Sequence, residues 1–142
     1  MRIEQTDDPK ILATTHQWLL DYNAAHVTNK WTPIQLIAFG EEGQIIGSLD
    51  GEVFWGKMHV DNLVVHPDYR GQGVGSGLLK RAENIASQQG CSGVYLDWLS
   101  FQALGFYLRL GYLEIGAIEG FENQTTRYYL HKAIPPSVTR NS

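Results

Sequence analysis

The sequence has a single cysteine, Cys91, in 142 residues. No internal disulfide and no thiolate metal cluster can therefore form within the chain. Standing after a helical stretch, Cys91 is expected to be a small packing residue. The chain also lacks any apolar run near the roughly 18 residues that a membrane span needs. Its first residues, MRIEQTDD, lack the apolar stretch of a secretory signal. A cytoplasmic protein without a membrane partner is expected. Cationic side chains are scarce: 11 Lys and Arg stand against 15 Asp and Glu, a net charge of -4. That balance opposes general affinity for nucleic acid, so a polyanion has to be met at a local site. With 43% hydrophobic and only 18% charged residues, the composition excludes disorder. It suits one core that buries roughly 70% of the unfolded surface.

Periodicity predicts a mixed α/β chain of the α+β type. Ile3 to Gln5 reads as a short strand, and Asp8 before Pro9 as an N-cap and first helical residue. Leu12, Leu19 and Tyr22, with Trp18 alongside, predict an amphipathic helix from Lys10 to about Ala25. His26 to Pro33 is irregular, rich in turn formers and broken by Pro33. Strands at Ile34–Phe39 and Gln44–Trp55 are joined by the polar Gly40–Gly43, and a reversal at Gly56 leads into a long strand, Met58–Val65. Asp50 and Gly51 mark either a tight turn or a bulge. A helix follows from Val74 to Gln89, with Val74, Leu78, Ala82 and Ile85 on one face and Gly90 as its stop. Val94–Asp97 is a short buried strand, and Phe101–Leu110 a second helix ended by Gly111. Tyr112–Ile118 and Thr126–Lys132 form a closing antiparallel pair. Residues 1–133 are expected to form one domain, and 134–142 a disordered tail.

The informative stretch is DNLVVHPDYRGQGVGSGLL, Asp61 to Leu79. A strand ends at Val65, Pro67 stops the ladder, and Gly71, Gly73, Gly75 and Gly77 crowd the start of a helix. Glycine there costs entropy, which packing or the close approach of a ligand has to offset. The free N–H groups of a first helical turn, with the helix dipole, make an anion site, and Arg70 can add a charge-assisted bond. The spacing excludes two owners of such loops. A dinucleotide fingerprint begun at Gly71, Gly73 or Gly75 ends on Ser76, Leu78 or Lys80 instead of Gly or Ala, and no Gly-Lys-Ser/Thr of a Walker loop is present.

The spacing that fits is Arg70, two residues, Gly73, one residue, Gly75, after LVVHPDY. A second motif lies downstream: SFQALGFYLRLGY, Ser100 to Tyr112. There Ala103, two residues and Phe106-Tyr107 lead to Leu110-Gly111-Tyr112. With these two motifs and the order of strands and helices, the chain resembles the GNAT acetyltransferase superfamily over nearly its whole length. The resemblance implies the GNAT fold: a mixed, mostly antiparallel central sheet of about six to seven strands, splayed between its two central strands and flanked by helices. It implies acetyl-coenzyme A as co-substrate. The backbone of Gly71, Gln72, Gly73, Val74, Gly75 and Ser76, helped by Arg70, would cradle the pyrophosphate. The strand edge at Leu63, Val64 and Val65 would pair with the pantetheine arm as an added strand does. Ser100, Ala103, Phe106 and Tyr107 would complete that site, Phe106 by packing. Ser100 stands where the family often has Asn, a place its hydroxyl or Gln102 would fill.

Because no Cys or Ser has a visible base partner, direct transfer of the acetyl group to a primary amine in a ternary complex, without a covalent acyl enzyme, is expected. Freeing the lone pair of an amine with pKa near 10.4 at pH 7 costs roughly 4 to 5 kcal/mol, so a general base is useful. Tyr107 matches the family's phenolic acid, which faces the thioester sulfur. For the base, period-two alternation puts His59, Asp61 and Leu63 on one strand face. Asp61 or His59 would serve, unless they are a strand-end acceptor and a packed imidazole. Trp31, Trp55 and Trp98, with Phe54, are candidate walls of a pocket for a cationic acceptor. The acceptor itself, a small-molecule or peptide amine, is left open, as is a homodimer. No metal and no nucleic acid partner is expected. The competing reading from another class is an acyl-coenzyme A-binding or sensing module without turnover.

Overall fold

The computed structural model describes residues 1–28, 30–102 and 104–135. The chain divides into two compact units, Met1–Lys30 and Trp31–Ser142. The first holds one helix, α1 (Pro9–Asn23). The Lys10 amide donates to Asp8 Oδ1 at 2.9 Å, and Pro9 takes a first-turn position whose N–H would go unused. The strand expected at Ile3–Gln5 does not form. This unit has no second strand to take up its N–H and C=O groups.

The second unit runs β1 (Trp31–Phe39), β2 (Ile45–Phe54), β3 (Lys57–Val65), α2 (Val74–Gln88), β4 (Gly93–Leu99), α3 (Leu104–Arg109), β5 (Leu113–Phe121) and β6 (Thr125–Ala133). The strands form one six-stranded sheet in the order β1-β2-β3-β4-β6-β5. Every pairing is antiparallel except β3 with β4. β1 starts three residues earlier than expected and runs through Pro33. It is an edge strand, where a missing N–H can face outward without breaking a ladder. α3 begins at Leu104 instead of Phe101, and Ala103 lies outside the described residues.

Trp55 and Gly56 close the β2–β3 hairpin with φ of 54° and 83°, the signs a tight two-residue hairpin turn requires. That turn fixes the register: Phe54 faces Lys57, Val53 faces Met58 and Glu52 faces His59. Gly51 then faces Val60, but Asp50 faces Asn62, so Asp61 is an extra residue with no partner on β2. Of the two readings open at Asp50 and Gly51, the bulge is the one that forms, and its inserted residue is on β3.

α2 covers one sheet face, burying Leu78, Leu79, Ala82 and Ala86 against Leu49, Met58, Val60, Val94 and Leu96. Gly90, at φ 81°, stops this helix as expected, and the Cys91 amide donates back to Ala86 O. Cys91 is fully buried. Ile134, grouped with the tail in the sequence reading, is 9% exposed, and its amide donates to Ser92 O at 3.1 Å. The rest of that expected tail, from Pro136, lies outside the described residues.

One polar network ties α2 to the end of the sheet. Tyr112 is fully buried and its hydroxyl donates to Glu83 Oε2 at 2.9 Å, while Lys132 Nζ donates to Glu83 Oε1 at 2.8 Å. Burial, and then the Glu83 carboxylate, push the Tyr112 phenol far above its ordinary range, so it stays protonated as the donor. Tyr112→Phe strands that carboxylate with one donor fewer, and is expected to lower unfolding stability by about 1 to 3 kcal/mol, read by urea denaturation.

Candidate active site

The site begins where two strands part. β3 and β4 are paired only at Met58–Val94, His59–Tyr95 and Val60–Leu96. Beyond Val60, β3 stays paired with β2, and beyond Leu96, β4 stays paired with β6. The β3 edge from Asp61 to Val65 thus faces a gap, with main-chain groups free for an added strand. Val64 is 55% exposed there.

At the end of β3 the chain makes a 3-10 turn at Pro67–Tyr69 and enters α2 through Gly73, a left-handed N-cap at φ 83°. No side chain caps this end, so the first-turn amides are left to a ligand or to water. Ser76 Oγ instead donates to Gly73 O. At Gly75 a Cβ would stand 3.2 Å from Phe106 Cζ and 3.5 Å from Val65, so a larger residue would push the Phe106 ring by a few tenths of an ångström from this turn. Phe106 is accordingly a packing residue at the loop. Arg70 is exposed and makes no ion pair among the described residues. Gln44 steadies the loop from the β1–β2 hairpin: its amide donates to the Tyr69 hydroxyl at 2.9 Å and its carbonyl accepts from the Glu42 amide. Free amides, an unpaired guanidinium and an open strand edge suit a pyrophosphate followed by an extended amide-bearing arm.

Just past α3 the chain turns at Gly111, φ 95°, and the Tyr112 amide donates back to Tyr107 O at 3.1 Å, which pins the residue carrying the phenol. The Tyr107 ring packs edge-on against Phe106 and Tyr112. Its hydroxyl has no hydrogen-bond partner among the described residues. Burial, and then the negative charge of Asp97, push this phenol above its usual value, so it stays protonated across the working range. Ser100 Oγ accepts from the Thr126 amide and Gln102 Oε1 from the Leu99 amide, both at the end of β4. Their acceptor atoms hold the chain, and their donors remain available.

On the sheet face opposite α2 lies a cluster. His59 Nδ1 is 3.0 Å from Glu52 Oε1 and 2.9 Å from Asp61 Oδ1, and its ring stacks on Tyr95 at 4.7 Å. His59 Nε2 is 3.9 Å from Asp97 Oδ1. A hydrogen bond with Glu52 pushes the Asp61 carboxyl up to about 6, with burial and the charges of Glu52 and Asp97 adding to it and His59 opposing.

The structure thus joins His59 and Asp61 but removes Leu63 from their face. The bulge at Asp61 resets the alternation, and Leu63 sits opposite the buried Leu49 on the α2 side. Trp98 is no pocket wall: it is 5% exposed in the core, stacked on Tyr128. Trp31 and Trp55 are exposed, but at the hairpin end of β2 and β3. Four residue steps along the strand, roughly 13 Å, separate Lys57 beside that turn from Asp61. Glu52, Asp97 and Arg127 were missed. Glu52 was within reach, because a two-residue turn at Trp55-Gly56 puts it opposite His59; Asp97 and Arg127 depend on pairing across 30 residues.

The Acetyltransferase (GNAT) family model matches residues 2–112. The chain belongs to the GNAT acetyltransferase family. It is 41% identical over 98 residues to the blasticidin-S acetyltransferase of Streptomyces morookaense, covering 68% of this chain and 72% of that one. An acetyltransferase structure from Bacillus cereus superposes with a TM-score of 0.85 at 30% identity, over 94% of this chain and 98% of that one. A Bacillus anthracis acetyltransferase solved in complex with acetyl coenzyme A has a TM-score of 0.67 at 24% identity, over 78% of this chain and 67% of that one. The GNAT family works as N-acetyltransferases with acetyl-coenzyme A as co-substrate, and this chain is such an enzyme. No helix among the described residues is long and apolar enough to cross a membrane.

Because the Asp61 carboxyl is raised, its ionisation opposes the native state. That group's stabilising contribution is present below about pH 4 and is lost as pH rises through about 6. Asp61→Asn should therefore raise Tm at about pH 8 and lose that gain at about pH 4, a contrast that thermal unfolding at the two values checks.

Proposed function

We propose that this acetyltransferase moves an acetyl group from acetyl-coenzyme A directly onto a primary amine, with Asp61 as general base and Tyr107 as the donor to the leaving sulfur. The observation that carries the reading is the position of Asp61. It is the inserted residue of the bulge, at the point where β3 leaves β4, and its neighbours push its carboxyl up to about 6. At pH 7 it is ionised by about ten to one, yet it is a far stronger base than an ordinary aspartate.

In this reading the pyrophosphate lies on the first turn of α2 near Arg70, and the pantetheine arm lies along the free edge of Leu63–Val65. The thioester then reaches the gap between Asp61 and Tyr107. Asp61 takes a proton from the ammonium, the nitrogen lone pair attacks the carbonyl carbon, and the C–S bond breaks once the N–C bond has formed; the second proton lost by the nitrogen goes to the departing thiolate, which leaves as the coenzyme A thiol. A thiol near pKa 8.5 is a better acid than the raised Tyr107 phenol. Tyr107 therefore acts by donating a hydrogen bond that strengthens as charge grows on sulfur. Cys91 is fully buried in the core, away from any role as acyl carrier.

The acceptor is a small-molecule amine, and Glu52, Asp61 and Asp97 around the gap favour one that arrives as a cation. The relative named for blasticidin S supports that class and makes it the first compound to try, beside lysine, a polyamine and an amino sugar.

Thiol release with such a panel tests the activity. The wild-type kcat/KM is expected to fall on the acidic side with a midpoint at about pH 6. Asp61→Asn should remove that limb and lower the rate by about 10² to 10⁴, and Tyr107→Phe should lower kcat by about 10² while leaving acetyl-coenzyme A binding in place. Retention of the limb in Asp61→Asn would assign the base elsewhere.

A further inference from the structure

We propose that Arg127 is a positioning residue for the transfer: by clamping one oxygen of Asp97 it aims the other across the gap onto His59, which holds the Asp61 base. The inference rests on Asp61 acting as that base.

The geometry is a chain of side chains crossing the sheet face. Arg127 Nε and Nη2 both lie 2.7 Å from Asp97 Oδ2, so the guanidinium fork closes on a single carboxylate oxygen. Arg127 is itself held from below, 5.7 Å over the Tyr129 ring, and Tyr129 faces Asp97 in the β4–β6 register. With Oδ2 taken, Oδ1 is the oxygen that faces His59 Nε2, at 3.9 Å. That distance is in ion-pair range and longer than a hydrogen bond. His59 Nδ1 in turn meets Asp61 Oδ1 and Glu52 Oε1. The His59–Asp97 approach is the link that spans the two strands where they part.

Asp97 is also the group that faces both ends of the reaction. Its charge acts on the Asp61 carboxyl and on the Tyr107 phenol alike. Arg127 sets a positive charge against that carboxylate, 2.7 Å from its Oδ2. The groups that face Asp61 are Glu52 on β2, His59 on β3, Tyr95 and Asp97 on β4 and, through Asp97, Arg127 on β6. Of these Arg127 carries the permanent positive charge, since His59 is charged only when protonated.

The signs follow from charge. Arg127→Met leaves Asp97 bare, which favours protonated Asp61, so the acidic limb of kcat/KM should move up by about half a pH unit or more. Asp97→Asn leaves Arg127 uncompensated and should move the limb down. The double variant removes one charge of each sign and should bring the limb back to within about 0.2 of wild type. Arg127→Lys keeps the charge without the fork, so it should hold the limb near its place while lowering kcat.

The experiment is the pH profile of kcat/KM for these variants and for Asp61→Asn, with folding checked by circular dichroism and acetyl-coenzyme A binding by calorimetry. A clamp that merely holds β4 to β6 would lower stability or activity and leave the limb where it is; that outcome overturns the inference. If Asp61→Asn itself keeps the limb, the base assignment has failed instead. If Asp61→Asn loses it while Arg127→Met and Asp97→Asn both leave it unmoved, the base stands and the role of Arg127 falls.

Discussion

The parting of β3 from β4 after three paired residues is the constraint on which the site depends. A continued parallel ladder would use up the β3 edge in hydrogen bonds to β4, leaving no room for an extended arm between the strands. The bulge at Asp61 accompanies the parting, because an inserted residue bends its strand and increases its twist. It also turns the carboxylate at the bend toward His59 and Glu52. One irregularity thus coincides with the opening of the sheet and the free edge, and puts Asp61 at the mouth of the gap.

Around the gap the structure spends packing on holding the two flanking elements still. The close contact of Phe106 with the Gly75 turn sets α3 against α2, and the return bond from Tyr112 to Tyr107 O fixes the last turn of α3. Glu83, Tyr112 and Lys132 tie that end to β6. Tyr107 therefore projects from a helix of only six residues that would be marginal by itself. The polar face opposite α2 is set by cross-strand neighbours, each side chain meeting the next at spacings the pleat provides.

Much of this was legible. The glycine spacing after LVVHPDY and the run ending in Phe106-Tyr107 gave the family, and with it the open central sheet. Asp8 with Pro9 and Gly90 marked helix ends through local backbone chemistry that needs no distant partner. Leu63 was put on the wrong face because alternation assumes an unbroken pleat. Trp98 looked like a pocket wall because an aromatic residue carries no mark of which sheet face it will line. Pro33 was read as a breaker, although its position on an edge strand made it harmless.

The sequence by itself determined the local chemistry: where chains turn and helices stop, which loop is rich in free amides, and which phenol the second motif carries. These are settled within a few residues by φ preferences and capping bonds. Only the tertiary structure decided which charges meet. Glu52, His59, Asp61, Asp97 and Arg127 come from β2, β3, β4 and β6, and their contacts exist because a bulge shifts one register and β6 pairs with β4 across 30 residues. A carboxyl that titrates near 6 is a property of that assembly, since its neighbours and its burial both belong to the folded sheet.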